Sequence, residues 1–374
     1  MQAIINKWEI PGASLAVAKD GRLLLAKGYG WADKEKKQPV GPHTLFRMGS
    51  INKTLTAVLL LKMVEDGRLT LDQPVLPILE KAGLRPASIG DPRSRSITLL
   101  QLLQHSAGFD REISGDRFFQ PNLGQVARRQ KTEPVTCDAI IKDSLEGKLD
   151  FGPGERFAYS NTGYCILGKV IEAVAGEPYA RLASKQILLP VIGKDFRTGA
   201  SKQSAAEETT YHPYPDEPLA PGAPGLSTGL VPSPYGSYSI ENMVALGAWI
   251  ATPTDVAKFF LAIDGSRGSS LLSQASLRAM LDPPVYASGP TPLRRYYGMG
   301  VNVTKSDKGV NWWHAGNQPG VYTLALRTWQ GHTWVVAFNA RPAALRRTAF
   351  FADFDEALWN AARSVQHWPE GDLF

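Results

Sequence analysis

The alternation of apolar and polar residues predicts strands near both ends of the chain. Residues 13–31 form two apolar runs around Asp20-Gly21, a dipeptide that a tight type I′ turn prefers, so a β-hairpin is predicted there. A second turn is predicted near Gln330-Gly331. The strand patterns in the C-terminal part of the chain cover 297–303, 310–314, 320–329 and 332–339.

Apolar residues at helical spacing predict helices in the middle of the chain. The first runs from about Ser50 to Asp66, and Gly67 follows it where a left-handed C-terminal cap favours glycine. Proline and glycine dominate residues 211–235, which predicts an ordered surface loop, with a lid over a pocket as the alternative. The later helical patterns cover 98–105, 137–147, 162–175, 252–263 and 350–364.

Strands at both ends of the chain with helices between them predict a mixed α/β (α+β) fold. If the terminal strands share one antiparallel sheet, flanking helices cover it and the middle of the chain is an insertion. We therefore expect residues 1–68 and 245–374 to form an α/β domain. Residues 69–244 are expected to form a mostly helical insertion domain.

The composition of the 374 residues is typical of a globular protein in water, with 43% hydrophobic and 20% charged residues. The formal net charge is +6, but the lysines and arginines are scattered. Nucleic-acid binding needs clustered cations, so no nucleic-acid partner is expected. No apolar run approaches 18 residues, so no membrane span is predicted. The sequence leaves the oligomeric state open.

The two cysteines, Cys137 and Cys165, give no zinc-like spacing with histidine, so no metal site is expected. Cys165 lies in an apolar run and is predicted to be a buried thiol. A single disulfide between the two residues remains an alternative.

Ser50-Ile51-Asn52-Lys53 opens the first predicted helix. Residues three apart lie on one helix face, so the lysine amine can reach the serine hydroxyl. A lysine whose pKa is lowered by burial can help to deprotonate that hydroxyl and make it a nucleophile. The simpler interpretation is a serine N-cap beside a solvated lysine.

Tyr159-Ser160-Asn161 precedes another predicted helix. A phenol beside an ammonium group loses its proton more easily, and an asparagine amide can hold a substrate carbonyl or the lysine amine. The simpler interpretation is a tyrosine that covers the core and an asparagine that caps the helix.

His314-Ala315-Gly316-Asn317 ends a predicted strand. Small residues there would let a substrate backbone lie along the strand edge, and the backbone N–H of Asn317 could face a developing oxyanion. The simpler interpretation is a half-exposed histidine in a hairpin.

The order of these three motifs resembles the serine β-lactamase and penicillin-binding-protein superfamily, especially its class C branch, which includes D-peptidases and family VIII-type carboxylesterases. The resemblance covers nearly the whole chain and implies the β-lactamase/transpeptidase-like fold. Supporting strings are Pro11-Gly12-Ala13, Asp20-Gly21, Gly28-Tyr29-Gly30, Leu69-Thr70-Leu71-Asp72 and Leu102-Leu103-Gln104-His105-Ser106-Ala107-Gly108.

The resemblance implies roles for the motif residues. Ser50 attacks the carbonyl, Lys53 shuttles its proton, and Tyr159 acts as base and later helps to activate water. Asn161 orients the substrate, and the N–H groups of Ser50 and Asn317 form the oxyanion hole. It implies no metal or organic cofactor, and it implies an exported, periplasmic bacterial protein whose signal segment lies upstream of this sequence.

His314 departs from the pattern of the superfamily, which usually carries lysine there, and it is predicted to line the substrate site with Gly316 and Asn317. A largely neutral histidine suits the carboxylate of a penicillin less well than a lysine does. The expected function is therefore a serine hydrolase that acts through an acyl-enzyme on amide or ester bonds of small-molecule or short-peptide substrates, either a D-amino-acid peptidase or a D-alanyl carboxypeptidase-like enzyme. The alternatives are a carboxylesterase, a class C-like β-lactamase, or a non-hydrolytic penicillin-binding sensor or scaffold.

His105 and Asp255 could suggest a Ser-His-Asp triad. In the superfamily the histidine of this string is structural, and a histidine in such a turn usually bonds to backbone. We therefore expect His105 to be structural and no triad to form.

Overall fold

The computed structural model, which describes residues 1–202, 205–214, 217–284, 286 and 293–374, contains the predicted antiparallel sheet. The strands are Gly12–Lys19 (β1), Arg22–Asp33 (β2), Gln38–Pro39 (β3), Phe46–Arg47 (β4), Ala220–Pro221 (β5), Leu230–Val231 (β6), Ile250–Ala251 (β7), Arg295–Tyr297 (β8), Asn302–Ser306 (β9), Gly309–Gln318 (β10), Val321–Arg327 (β11) and His332–Phe338 (β12). The predicted sheet has eight of these strands, in the order β3-β2-β1-β12-β11-β10-β9-β8, so strands from both ends of the chain share one sheet, as predicted.

The predicted N-terminal hairpin lies inside this sheet, where β1 pairs with β2 on one side and with β12 on the other. Asp20 and Gly21 have φ angles of 49° and 80°. Positive φ at both central residues is what a type I′ turn requires, and its twist matches that of the flanking strands. The hairpin prediction is confirmed.

Helices cover both faces of the sheet. The helices are Gln2–Lys7 (α1), Asn52–Glu65 (α2), Leu76–Lys81 (α3), Leu99–Leu103 (α4), Asn122–Gln130 (α5), Cys137–Glu146 (α6), Asn161–Ala175 (α7), Tyr179–Ala183 (α8), Leu189–Ile192 (α9), Pro253–Ile263 (α10), Gln274–Leu281 (α11) and Arg347–Ser364 (α12). One face of the sheet packs on the large core that includes the middle of the chain. The other face packs on α1 and α12 through an aromatic cluster that includes Trp8, Phe350 and Phe354.

Helix α2 is more deeply buried than its predicted apolar face implies. Nearly every side chain from Asn52 to Leu61 is buried, including the polar Lys53, Thr54 and Thr56. A helix that is buried all round belongs to the core of a large protein. The helix ends at Glu65, and Gly67 has a φ of 68°, as predicted for its C-terminal cap.

The predicted strand 297–303 is wrong, because it spans the end of β8, a turn and the start of β9. Gly298 is needed in that turn because a Cβ there would lie 2.3 Å from the Met280 carbonyl oxygen. Gly300 adopts a φ of 76°, which favours glycine. Two glycines inside an apolar run were the available sign of this break.

The prediction that Cys165 is a buried thiol is also wrong. Cys165 is buried, but it forms a disulfide with Cys137, and the two Cα atoms lie 6.2 Å apart. The bridge joins α6 to α7, two packed helices, and packing of distant segments is what the sequence alone does not reveal.

The segment 211–235 packs against the protein and forms the short pair β5–β6, although residues 215 and 216 lie outside the described part. Tyr211 and Tyr214 are buried, as expected of an ordered loop. No helix in the described ranges is long and apolar enough to cross a bilayer. The domain boundaries at 68/69 and 244/245 stay a prediction.

Candidate active site

Ser50 lies in a short 3₁₀ turn, Gly49–Ile51, that leads directly into α2. One turn further along, the Lys53 amine lies 3.1 Å from the Ser50 hydroxyl oxygen, within hydrogen-bond distance. The Ser50 side chain is only half-buried, so a substrate can reach its oxygen. The spacing of three residues therefore brings hydroxyl and amine together, as predicted.

Lys53 is completely buried, and it is surrounded by oxygen acceptors. Its amine donates to Asn161 Oδ1 at 2.8 Å and to the Leu246 carbonyl oxygen at 3.0 Å. Burial lowers the pKa of Lys53 well below its usual value, with Arg111 acting in the same direction and Asp116 opposing it. The neutral amine, which can accept a proton, is therefore favoured.

Tyr159 reaches the same hydroxyl from the other side. Its phenol lies near enough to the Ser50 hydroxyl for that group to lower the phenol's pKa, and its ring centroid lies 5.0 Å from the Lys53 amine. Burial raises the pKa of Tyr159 in spite of Ser50 and Arg111, which lower it. The expected easier loss of its proton is not found, so the resting group is a neutral phenol that can relay a proton.

Asn161 connects Lys53 to Asp116. Its Nδ2 donates to Asp116 Oδ2 at 2.7 Å while its Oδ1 accepts from Lys53. The carboxylate thereby fixes the orientation of the amide, and the second Nδ2 hydrogen remains for a substrate oxygen. Burial raises the pKa of Asp116, against hydrogen bonds from the backbone of Phe118 and from Asn161 that lower it.

Gly316 lets β10 approach the segment before Ser50. A Cβ on Gly316 would lie 2.2 Å from both the Met48 carbonyl oxygen and Thr323 Oγ1. These two atoms are themselves joined by a hydrogen bond of 3.0 Å. The close packing of β10 and β11 against the nucleophile turn therefore requires glycine here.

The backbone N–H of Asn317 points away from its partner strand β11, beside the turn that carries Ser50. Pairs in an antiparallel ladder alternate between those that exchange hydrogen bonds and those that do not. Counted from the turn after Gln318, the pair Asn317–Tyr322 is of the second kind, and described pairing with β9 stops at Trp313. A Cβ on Gly49 would lie 3.2 Å from Asn317 N. The N–H is thus placed to face a reacting oxygen.

Gly316→Ala is expected to lower kcat/KM about 10²-fold, because the turn that carries Ser50 must move away from β10. Steady-state rates and thermal melting of the variant measure the two effects. Gly371→Ala is the matched control, since a Cβ there meets no heavy atom within 4 Å. Wild-type rates in Gly316→Ala would show that the close approach is not needed.

His314 is buried, and both of its ring nitrogens are occupied. Nδ1 lies 2.8 Å from the Ala315 carbonyl oxygen, so Nδ1 carries the hydrogen, and Nε2 accepts from the Tyr297 hydroxyl at 2.9 Å. Burial, with a contribution from Lys53, lowers the pKa of His314 to about 3. The histidine lines the site as a neutral group and presents no cation there.

His105 is structural, as predicted. Its Nδ1 accepts a hydrogen bond from the Ser160 N–H at 3.1 Å, and its ring centroid lies 4.3 Å from that of Tyr159. Asp255 caps α10 and binds Lys194 at 3.1 Å. The two residues therefore serve different elements and form no triad.

The motifs meet around one cavity of about 220 Å³. Sequence reasoning missed Arg111 and Asp116 in its wall, because both lie in a loop without periodicity. Within the described ranges, no group of three metal-binding side chains is found. No described residue of 211–235 lines the cavity, which does not support a lid. The lining residues are Ser50, Arg111, Asp116, Phe119, Tyr159, Asn161, Met243, Leu246, Asn302, His314, Ala315, Asn317 and Gln318.

The fold is that of the β-lactamase and transpeptidase class. The chain belongs to the β-lactamase family, because a family model described as Beta-lactamase matches residues 2–357. The resemblance inferred from the order of the motifs is thereby confirmed.

Relatives of this chain differ in length. Protein flp of Staphylococcus aureus is 30% identical over 287 residues, which are 76% of this chain and 53% of flp. The chain therefore spans about half the length of the curated relatives it matches.

Two solved structures are similar over most of their length. The D-amino acid amidase of Ochrobactrum anthropi SV3, complexed with L-phenylalanine amide, has a TM-score of 0.73 and 23% identity, covering 97% of each chain. A D-stereospecific amidohydrolase from a Streptomyces species has a TM-score of 0.65 and 25% identity, covering 91% of this chain and 94% of its own. The first likeness establishes the fold.

Proposed function

We propose that the protein is a D-stereospecific amidase or peptidase that works through an acyl-enzyme on Ser50. The observation that carries this proposal is the buried Lys53 amine, which contacts the Ser50 hydroxyl and the Asn161 amide at once. Burying an amine is costly. A neutral Lys53 amine has two hydrogens for the oxygens of Asn161 and Leu246 and a lone pair for the half-exposed Ser50 hydroxyl, an arrangement better explained by proton transfer than by stability alone.

In this mechanism the Ser50 oxygen attacks the carbonyl carbon while Lys53 takes its proton. The proton passes through the Tyr159 phenol to the leaving nitrogen, the C–N bond breaks, and the acyl group stays on Ser50 as an ester. The N–H groups of Ser50 and Asn317 bind the oxyanion. Water then attacks the ester, gives its proton to the same groups, and releases the acid and the serine.

The preference for D-amides over β-lactams has two supports. The named structural neighbours include a D-amino acid amidase and a D-stereospecific amidohydrolase. In addition, β10 carries a neutral His314 where the superfamily usually has lysine, so the carboxylate of a penicillin finds no cation on that strand. Carboxylesterase activity uses the same acyl-enzyme and is the second candidate, because an ester needs less assistance in expelling its leaving group.

A matched set of substrates tests the proposal. Hydrolysis of D- and L-alanine p-nitroanilide, p-nitrophenyl acetate and nitrocefin is measured under one set of conditions. We expect the D-anilide to have a higher kcat/KM than its L-enantiomer and nitrocefin to be turned over slowly. Turnover of esters alone would favour the carboxylesterase, and adduct formation without product release would favour the penicillin-binding sensor.

The position of the adduct is tested by mass spectrometry. Intact-mass measurement and peptide mapping after exposure to a fluorescent penicillin and to a fluorophosphonate should place each adduct on Ser50. An adduct on any other residue would contradict the proposed nucleophile.

Tyr159→Phe is expected to lower kcat about 10²-fold, because it removes the proton relay and keeps the ring. The neighbouring Tyr164→Phe is the control, since that phenol donates to the Leu103 carbonyl oxygen and does not line the cavity. Near-normal kcat in Tyr159→Phe would remove the phenol from the mechanism.

The proposed export of the protein to an oxidising compartment is supported by the Cys137–Cys165 disulfide. Disulfides persist outside the reducing cytosol. Cell fractionation of the natural host, with thiol labelling before and after reduction, tests both points, and free thiols in a cytosolic fraction would contradict them.

A further inference from the structure

We propose that Arg111 recognises a carboxylate on the leaving-group side of the substrate, so that the preferred substrates are short peptides with a free C-terminus. This inference rests on the proposed function and narrows it. It separates a carboxypeptidase-like enzyme from an amidase, because a simple amide releases ammonia and offers Arg111 nothing to bind.

Arg111 is the cation of the cavity wall that a substrate can contact. It alone among the described lining residues carries a guanidinium or ammonium group. Lys53 lies beneath the cavity, and burial lowers its pKa well below the usual value. His314 is neutral because burial lowers its pKa to about 3. A negatively charged substrate therefore meets positive charge at Arg111.

Arg341, a further cation near the cavity, is already engaged. It donates to Asn317 Oδ1 at 2.7 Å and lies 3.8 Å from Glu217. It therefore positions the side chain of Asn317 and has less capacity for a substrate than Arg111 has.

The guanidinium of Arg111 has capacity for a ligand. Its Nε lies 3.1 Å from Glu112, in an ion pair whose side chains are 45% and 80% exposed. Such an exposed pair contributes little and is readily exchanged. Within the described ranges, the two terminal nitrogens of Arg111 form no hydrogen bond with the protein, which leaves a fork that fits a carboxylate. Asp116, also in the cavity wall, already accepts hydrogen bonds from Asn161 and the Phe118 N–H.

Arg111 lies on the side of the cavity where the leaving group of the proposed reaction is expected. Its guanidinium lies 4.9 Å from the ring centroid of Tyr159. In the proposed mechanism the Tyr159 phenol delivers the proton to the leaving nitrogen, so the leaving amine lies against that ring. The carboxylate of a leaving amino acid is two bonds from this nitrogen and therefore falls within reach of the arginine fork.

Two substrate pairs test the proposal. D-alanyl-D-alanine and its C-terminal amide share one acyl group and differ in the charge of the leaving group. The acetate esters of 4-hydroxybenzoate and 4-hydroxybenzamide provide the same comparison without a D-peptide bond. The measured quantity is the ratio of kcat/KM for the acid to kcat/KM for the amide, in wild type, Arg111→Gln and Arg111→Lys.

We expect the wild type to favour the acid of each pair, and the ratio to fall about tenfold in Arg111→Gln and less in Arg111→Lys. The ratio is used because Arg111 also lies above Tyr159, so its loss can slow both substrates of a pair. Arg181→Gln, which removes an exposed ion-paired arginine outside the cavity wall, is the control.

An unchanged ratio in Arg111→Gln for both pairs would overturn the inference. Failure of the wild type to cleave either D-peptide, together with failure on D-alanine p-nitroanilide, would instead contradict the proposed function. In that case the ester pair still decides the role of Arg111, so the two failures can be told apart.

Discussion

Ser50→Ala is expected to lower kcat on the order of 10⁵-fold and to abolish covalent labelling, because Ser50 carries the acyl intermediate in the proposed mechanism. The fold should be unaffected, since the half-buried hydroxyl serves mainly as a partner of Lys53 and Tyr159. Single-turnover rates and intact mass after exposure to a fluorophosphonate measure the effect.

The control for this variant is Ser273→Ala, which removes the serine that caps α11 on the surface. It should cost about 1 kcal/mol of stability and leave turnover intact. Residual turnover of Ser50→Ala within tenfold of the wild type, with the same substrate preference, would show that another residue is the nucleophile.

Lys53→Met is expected to lower kcat at least roughly 10²-fold, because the serine loses its proton acceptor while the side-chain volume is nearly kept. The lowered pKa of Lys53 also sets the direction in which the wild-type rate changes with pH. Burial disfavours the ammonium form, so the amine is free above a pKa that lies well below 10.5. The rate should therefore fall as the pH decreases through that pKa and reach a plateau above it.

The pH profile of kcat/KM for wild type and variant checks this expectation. The residual activity of Lys53→Met should lack the same ionisation. Lys62→Met, from the last turn of the same helix, is the matched control. A wild-type profile that keeps rising to the ordinary lysine pKa would contradict a neutral Lys53 at neutral pH.

Local spacing made the core of the candidate site predictable. Ser50 and Lys53 are three residues apart on one helix, so their contact follows from helix geometry once the helix is identified. The contacts with Tyr159 and His314 came from the resemblance, because no periodicity relates segments so far apart. The geometry brings Ser50, Tyr159 and His314 to one cavity, with the Lys53 amine buried beside Ser50.

Other parts of the site depend on tertiary packing and were not predictable. Arg111 and Asp116 lie in the irregular segment between α4 and α5, where neither period nor motif identifies them. The lower pKa of Lys53 was anticipated in direction as an effect of burial, whereas the raised pKa of Tyr159 was not. Burial outweighs the neighbouring charges at the phenol, and burial is known only from the folded chain.

The fold was predictable wherever a local signal agreed with the tertiary structure. Asp20-Gly21 specified its turn, and β1 and β2 followed. The prediction of a buried Cys165 thiol failed because the pairing of Cys137 with Cys165 depends on how α6 and α7 pack. Patterns within a segment predict elements, and contacts between segments need coordinates.

The neighbourhood of β1 and β12 has a consequence for biosynthesis. The Gly12 N–H donates to Asn339 Oδ1 at 2.7 Å, across 327 positions of the chain. Contacts of such long range form late and slowly, and the turn that carries Ser50 rests on β10 and β11. A nascent chain on the ribosome therefore lacks the wall beside Ser50, and the cavity is complete only after the last strands have been translated.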